Sequence, residues 1–261
     1  MSYFPILNVP DAKCWTTVYN FAPNNWEVMR TDEQYLNVTF STEKEWITES
    51  LGMVPKGGIK TVTADDLCGL VPNTVLPLLS LTSAPIPPSS KSLPDLGDAR
   101  TATPAWRATI GISSSWTQTS YQGELDPFPQ SGSLLSFSPF FQFGMGIENY
   151  MIFLNLEKSP ATRIADIEIY DTKRLNFKGR FIVRSNSSNI ISLNNFGLNE
   201  IDLPLMICKD MAGIPLYFSR TVDGTFMSLE HTHPPASFVV HGNRWEAQKL
   251  LKKNWFAKLS Q

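Results

Sequence analysis

Apolar and polar positions alternate through much of the second half of the chain. Ile167-Glu168-Ile169-Tyr170 and Ile182-Val183-Arg184 show the β-branched, every-other-residue pattern of strands with one buried face. Strands are predicted over Tyr150–Leu156, Ala165–Tyr170, Phe177–Arg184, Asn189–Leu193, Leu205–Cys208 and Ile214–Ser219, a spacing that fits a sandwich. Asp171-Thr172-Lys173 and Ser185-Asn186-Ser187-Ser188 supply turns between them. Val222-Asp223-Gly224-Thr225 supplies another, because Asp-Gly tolerates the positive φ of a hairpin, and it returns the chain over Phe226–Glu230. The period changes to that of a helix from about Arg244 to Leu259. There Ala247, Leu251, Trp255 and Leu259 share a stripe beside Leu250 and Phe256, and Asn243 with Glu246 forms a capping-box pattern.

The pattern also repeats. Leu76-Pro77-Leu78-Leu79 matches Leu203-Pro204-Leu205-Met206, and Pro85-Ile86-Pro87 matches Gly213-Ile214-Pro215. Upstream, Asp65–Leu70 aligns with Asn194–Leu198, and the apolar run Tyr35–Phe40 with Tyr150–Leu156. Self-similarity of this kind predicts an all-β protein of two related sandwich-like lobes, an internal duplication, closed by a C-terminal helix. Between the lobes, Ser83 to Pro104 is crowded with proline and serine, and proline lacks the N–H that a ladder needs. The expected division is an N-terminal lobe over 1–82, a linker over 83–104, a β-sandwich lobe over 105–242 and the helix over 243–261. The helical stripe must dock, either sealing its own sandwich or forming a homo-oligomer interface.

Composition narrows the partners. A chain of 261 residues buries a core without staples, and Cys14, Cys68 and Cys208 form no CxxC pair; their apolar neighbours suit reduced thiols filling a core. The start of the sequence lacks a basic segment followed by an unbroken apolar one, and no apolar run approaches bilayer length. Those features predict a cytoplasmic protein with no membrane insertion. A formal net charge of -2 removes the long-range attraction to phosphate, so nucleic acid is not an expected partner.

In the second lobe, Leu154-Asn155-Leu156, Ile164–Tyr170, the Ser-rich turn into Ile190–Asn195 and the strand Gly213–Arg220 follow one another in an order that resembles the small β-sandwich of sensory rhodopsin transducers. The resemblance is at the level of the fold. It implies an oligomeric, non-catalytic module that binds a ligand or a partner.

Two constellations carry candidate chemistry. The first is His231, His233 and His241: residues two apart in an extended chain project from one face, so His231 and His233 present two imidazoles to one metal, with His241 or a carboxylate completing the shell. Zinc, iron or manganese suits such donors, and a metal-dependent enzyme is the alternative function. The second is the stretch from Trp116 to Pro129, read as an acidic loop, in which Trp116 and Tyr121 offer ring faces and Gln122, Glu124 and Asp126 offer amide and carboxylate groups. Sugars are recognised by that mixture, since rings cover the C–H side while planar polar groups take the hydroxyls. No GxSxG elbow, P-loop, GxGxxG after a strand or HExxH is present. The leading expectation is a non-catalytic protein that binds a small polar ligand such as carbohydrate, or a protein partner.

Overall fold

The computed structural model describes residues 3–20, 33–96, 108–138, 146–198, 204–231 and 244–259. In the first half the strands are β1 (Phe4–Pro5), β2 (Lys13–Asn20), β3 (Glu33–Ser41), β4 (Trp46–Pro55), β5 (Gly58–Thr63), β6 (Leu78–Thr82), β7 (Ser89–Ser90), β8 (Ala108–Ser113) and β9 (Gln118–Gly123). In the second half they are β10 (Leu134–Phe137), β11 (Ile147–Leu154), β12 (Ile164–Asp171), β13 (Asn176–Arg184), β14 (Asn189–Ser192), β15 (Pro204–Cys208), β16 (Ile214–Thr221) and β17 (Met227–His231), followed by helix α1 (Arg244–Leu259). No helix among the described residues is long and apolar enough to cross a membrane.

All strand pairs are antiparallel, and they form four sheets. The first half contributes β1-β6-β3-β4-β7 and β5-β2-β8-β9, the second half β10-β15-β12-β13 and β14-β11-β16-β17. Apart from β7, the two halves have one strand order. β1 to β6 stand where β10 to β15 stand, and β8 and β9 where β16 and β17 stand. Each half also places a short 3-10 turn between its fifth and sixth strands, Asp65–Leu67 and Leu193–Phe196, and follows it with a glycine in the left-handed region, Gly69 at φ 81° and Gly197 at φ 60°.

The repeat seen in the sequence maps onto this order in part. The described parts of the two motifs, 76–79 and 204–206, lead into equivalent strands in equivalent register: Val38 pairs with Leu79 and Ile169 with Met206, and all four side chains enter the core of their own sandwich. Tyr35–Phe40 lies in β3, however, whereas Tyr150–Leu154 lies in β11, whose counterpart is β2. That match is one strand out of phase, because short apolar runs resemble one another whichever strand they form. Ile86 precedes β7, whereas Ile214 opens β16, so that match also joins different places.

Two cores lie inside the sandwiches. Ile6, Val18, Leu36, Val38, Phe40, Leu79 and Leu81 fill the first, and Met151, Phe153, Ile167, Ile169, Met206 and Tyr217 the second. A third core joins them. Ile110 and Ile112 of β8, Trp46 of β4, Ile152 and Leu154 of β11, and Leu216 and Phe218 of β16 belong to one buried cluster. Alternation makes this possible: odd positions of β11 enter the second sandwich and even ones, Ile152 and Leu154, the joint. At the joint β9 and β17 lie side by side, running the same way, with Ser114 Oγ donating to the Gly224 carbonyl (2.7 Å) at one end and Tyr121 beside His231 at the other. Polar ties add to it. Trp46 Nε1 donates to Lys158 O (3.0 Å), Leu76 N–H to Asn186 O (3.2 Å) and Arg220 Nη1 to Pro10 O (2.8 Å).

The stretch expected as a linker is built into the body as far as it is described. Leu93 and Leu96 are buried in the joint, the Leu93 N–H donates to Lys158 O, and Ser89–Ser90 pair with Trp46–Ile47 as β7. β8 and β9, which a boundary at 105 assigns to the second lobe, pair with each other, and β8 pairs with β2 in the first. Cys14 and Cys208 are buried as expected, whereas Cys68 is exposed, because it follows the 3-10 turn at the surface. Helix α1 docks on β10, where Trp255 meets Phe137 edge to face at 5.3 Å and Lys252 Nζ donates to Ser133 O (2.5 Å). Asn243, the expected cap, lies outside the described residues.

Candidate functional site

The stretch expected to be a loop forms strand β9, and this changes which of its residues can act together. Its sequence, Gln-Thr-Ser-Tyr-Gln-Gly, hides the strand because the solvent face is polar and the inward face small or phenolic. Tyr121 points inward against the joint, over Gly123, where a Cβ would stand 2.2 Å from its ring. Its hydroxyl is buried with no hydrogen-bond partner among the described residues, and burial raises its pKa, so it stays protonated. Gln122 points the other way and is exposed. Trp116 is 78% exposed in the β8–β9 turn, and Glu124 and Asp126 follow the opposite end of β9 on either side of buried Leu125, whose backbone exchanges hydrogen bonds with Tyr3. At about 3.3 Å per residue, Trp116 and Glu124 are roughly 25 Å apart along the chain. The structure therefore separates the five residues into four places.

Gln122 has different neighbours, on the outer face of the β5-β2-β8-β9 sheet. Register places Thr63, Trp15, Gly111 and Ser120 in one row across that face, and Thr61, Thr17, Thr109 and Gln122 in the next. Tyr19 and Ile59 extend it at one end, and Lys13, Ser113 and Gln118 at the other. The benzo ring of Trp15 lies directly above Gly111, whose Cβ, were there one, would stand 2.2 Å from a ring carbon. Glycine is what lets the half-exposed indole lie down on the sheet. Beside it Tyr19 shares a hydrogen bond with Thr109 Oγ1 (2.7 Å) across two strands, and Thr17 shares one with Thr61 (2.8 Å). These contacts hold the second row of side chains in fixed positions. Gln118, Ser120 and Gln122 are exposed along β9.

The chemistry of this face is uniform. Its side chains are hydroxyls, amides, two aromatic rings, the exposed Ile59 at one end and a single cation, Lys13, and none of the four strands contains a carboxylate. At about 4.8 Å between strands the face is about 14 Å across. It offers a ring surface and neutral hydrogen-bonding groups in a rigid plane, and it holds no pair of acids for general acid–base hydrolysis. Trp15, Tyr19 and Gly111 escaped sequence reasoning. Their signal is the alternation Trp15-Thr-Thr17-Val-Tyr19, in which every second residue lies on the outer face of the sheet.

His231 ends β17 opposite Leu216, with its ring centroid 6.2 Å from that of Tyr121. His233 and His241 lie outside the described residues. Among the described residues no group of three His, Cys, Asp or Glu side chains is placed to hold a metal ion. The charged pairs that are buried serve the frame. Glu157, 2% exposed, accepts from Arg163 Nε (2.8 Å), and its own N–H donates to Asn186 Oδ1 (2.8 Å) beside the joint. Compared with protein-family models, curated proteins and solved structures, the chain matches none of them, and nothing in those comparisons bears on the resemblance to the sensory rhodopsin transducers.

Proposed function

We infer that this chain is a duplicated β-sandwich protein that works by binding rather than by catalysis, and that the outer face of the β5-β2-β8-β9 sheet takes a small polyhydroxylated ligand of the carbohydrate class. The observation that carries the reading is Trp15 laid over Gly111 beside an ordered row of threonine, serine and glutamine side chains. A sugar ring presents a C–H face that an indole covers and equatorial hydroxyls that neutral amides and hydroxyls accept and donate to. A rigid sheet loses little entropy on binding, which favours even a shallow site. Trp15 takes the role that the sequence reading gave to Trp116, and Gln122 is common to both.

The test is a glycan array probed with the labelled protein, followed by calorimetric titration of any oligosaccharide that binds. Binding should weaken at least tenfold in Trp15→Ala and measurably in Gln122→Ala, and stay unchanged in Trp116→Ala. Trp15 is half-exposed, so its removal should leave the thermal midpoint within a few degrees. An array without a single hit for the wild type, or a hit whose affinity Trp15→Ala leaves intact, would overturn the reading.

A further inference from the structure

The shared strand order brings two counterpart hairpins together. β8 turns into β9 through residues 114–117, and β16 turns into β17 through residues 222–226. Because β9 and β17 lie side by side and run the same way, both turns come to one end of the joint. There Ser114 Oγ donates to the Gly224 carbonyl (2.7 Å), and a Cβ on Gly224 would stand 3.3 Å from that of Ser114. The touching turns carry Trp116, Val222 and Phe226, which are 78%, 69% and 60% exposed, and the first two are the most exposed large apolar side chains among the described residues. Such side chains scattered singly need no explanation, whereas three on adjoining tips form a patch that calls for an apolar neighbour.

The geometry points to a bilayer surface as that neighbour: the two tips enter the headgroup and upper acyl layer together, with no segment spanning the membrane. Three observations select it. The backbone that goes in carries its own hydrogen bonds. Trp116 N–H donates to Ser114 Oγ (3.1 Å), Val222 N–H to Gly146 O (2.8 Å) and Phe226 N–H to Thr221 Oγ1 (3.1 Å), while Ser114 N–H and Gly224 N–H close the turns on Thr117 O and Thr221 O (2.9 Å each). Hydrocarbon offers an amide no partner, so a turn whose amides are already bonded enters it at least cost. Shape is the second observation. The three side chains stand on turns rather than in a groove, and a fluid bilayer closes around them, whereas a protein partner must supply a fitted pocket for each. Charge is the third. Around the tips Arg220 is taken by Glu148 (2.6 Å), Lys13 acts on the Asp66 carboxylate, and the Asp223 carboxylate is turned back on Thr225, accepting from its N–H (3.1 Å) and Oγ1 (2.8 Å). With Asp11 beside them, two cations stand against four carboxylates, so the contact rests on tryptophan and phenylalanine at headgroup depth and does not call for anionic lipid. Ser120, in the row of Trp15, is four residues from Trp116, roughly 13 Å along the chain. The Trp15 face therefore stays clear of tips sunk about 5–10 Å, and the two sites act independently.

The test is co-sedimentation of the full chain with sucrose-loaded phosphatidylcholine vesicles, with phosphatidylglycerol vesicles run beside them. The expected result is partition of the wild type onto phosphatidylcholine that rising salt leaves intact, and partition at least tenfold weaker for Trp116→Ser/Phe226→Ser. Both positions are exposed, and circular dichroism and melting check that the variant keeps its fold. An environment-sensitive dye on Val222→Cys, in a Cys68→Ser background because Cys68 is an exposed thiol, should shift to the blue on vesicles; the same dye on Ile59→Cys, at the far end of the Trp15 face, should not. The proposal is overturned if the wild type does not bind phosphatidylcholine vesicles, if the serine variant binds them as tightly, or if both dyes shift alike. It is overturned equally if binding needs phosphatidylglycerol and vanishes in salt, or if sedimentation equilibrium shows two copies of the chain paired through tips that the serine variant separates. Free oligosaccharide binding is read on its own, so failure on vesicles and failure on glycans are told apart.

Discussion

The two sandwiches have the same strand order and are finished in different ways. The first is wrapped by the chain that leaves it: residues 83–96 send Leu93 and Leu96 into the joint and lay β7 on the edge of β4. The second is touched by α1, none of whose described side chains is buried and whose Leu250 is 60% exposed, and among the described residues no strand pairs with the outer edge of its β13. The strands that share one order make the cores, and the segments outside that order decide which surfaces they cover.

The strongest way to break the comparison is to attack what the halves share. Phe218 is fully buried in the joint, and Phe218→Ala should cost about 3–5 kcal/mol in urea unfolding. The wild type should unfold in a single transition because the joint draws on both halves; two separated transitions would show that the sandwiches are independent. Next comes the contrast in wrapping. Leu93→Ala should cost about 2–4 kcal/mol, whereas Trp255→Ala, on a helix that is only half-covered, should cost about 1–2 kcal/mol. Equal losses would mean that α1 holds the second sandwich as firmly as residues 83–96 hold the first.

Gly111→Ala sharpens the account of the exposed face. A Cβ at that position collides with the Trp15 ring, so the indole must lift, at about 1–3 kcal/mol, and glycan binding should fall together with the loss of Trp15 packing. The smallest effect separates the two 3-10 turns. Thr63 N–H and Oγ1 both donate to Asp66 Oδ2 (2.8 Å each), and Asp66 N–H donates back to Thr63 Oγ1 (3.2 Å), a reciprocal cap that the second turn lacks. The hydrogen bond from the Thr63 amide, and then that from its hydroxyl, hold the Asp66 carboxyl below its ordinary range. A carboxyl depressed on folding adds stability above its unfolded pKa of about 3.9, and that increment disappears as pH falls through the folded value. Asp66→Ala should therefore cost about 0.5–1 kcal/mol at pH 7. In denaturant titrations between pH 7 and pH 2, the gap between variant and wild type should close only in the acid range.

Much of the second half was legible from local chemistry. Ile167-Glu168-Ile169-Tyr170 lies in β12, Asp223-Gly224 makes the β16–β17 turn with Gly224 at φ 70°, and Arg244–Leu259 is the helix. These features depend on alternation, on the positive φ that glycine tolerates and on helical periodicity, all of which are written in neighbouring residues. The first half was harder to read. Gln118–Gly123 has a polar outer face and an inner face of threonine, tyrosine and glycine, so it carries no aliphatic alternation, and Lys13–Asn20 interleaves threonine with its aromatic positions.

What the sequence determined by itself was the class of the protein: strands with one apolar face, turns of the right chemistry, a terminal helix, and the echo of Leu76–Leu79 in Leu203–Met206. The tertiary structure alone decided which strands became neighbours. It placed Gly111 of β8 beneath Trp15 of β2, set Gln122 on the same face, carried Trp116 and Glu124 to opposite ends of β9, and laid β7 on the edge of β4. The physical reason is that a strand satisfies only half its needs locally. Its alternation fixes which side chains share a face, whereas its hydrogen-bonding partner lies at a sequence distance that no local pattern encodes.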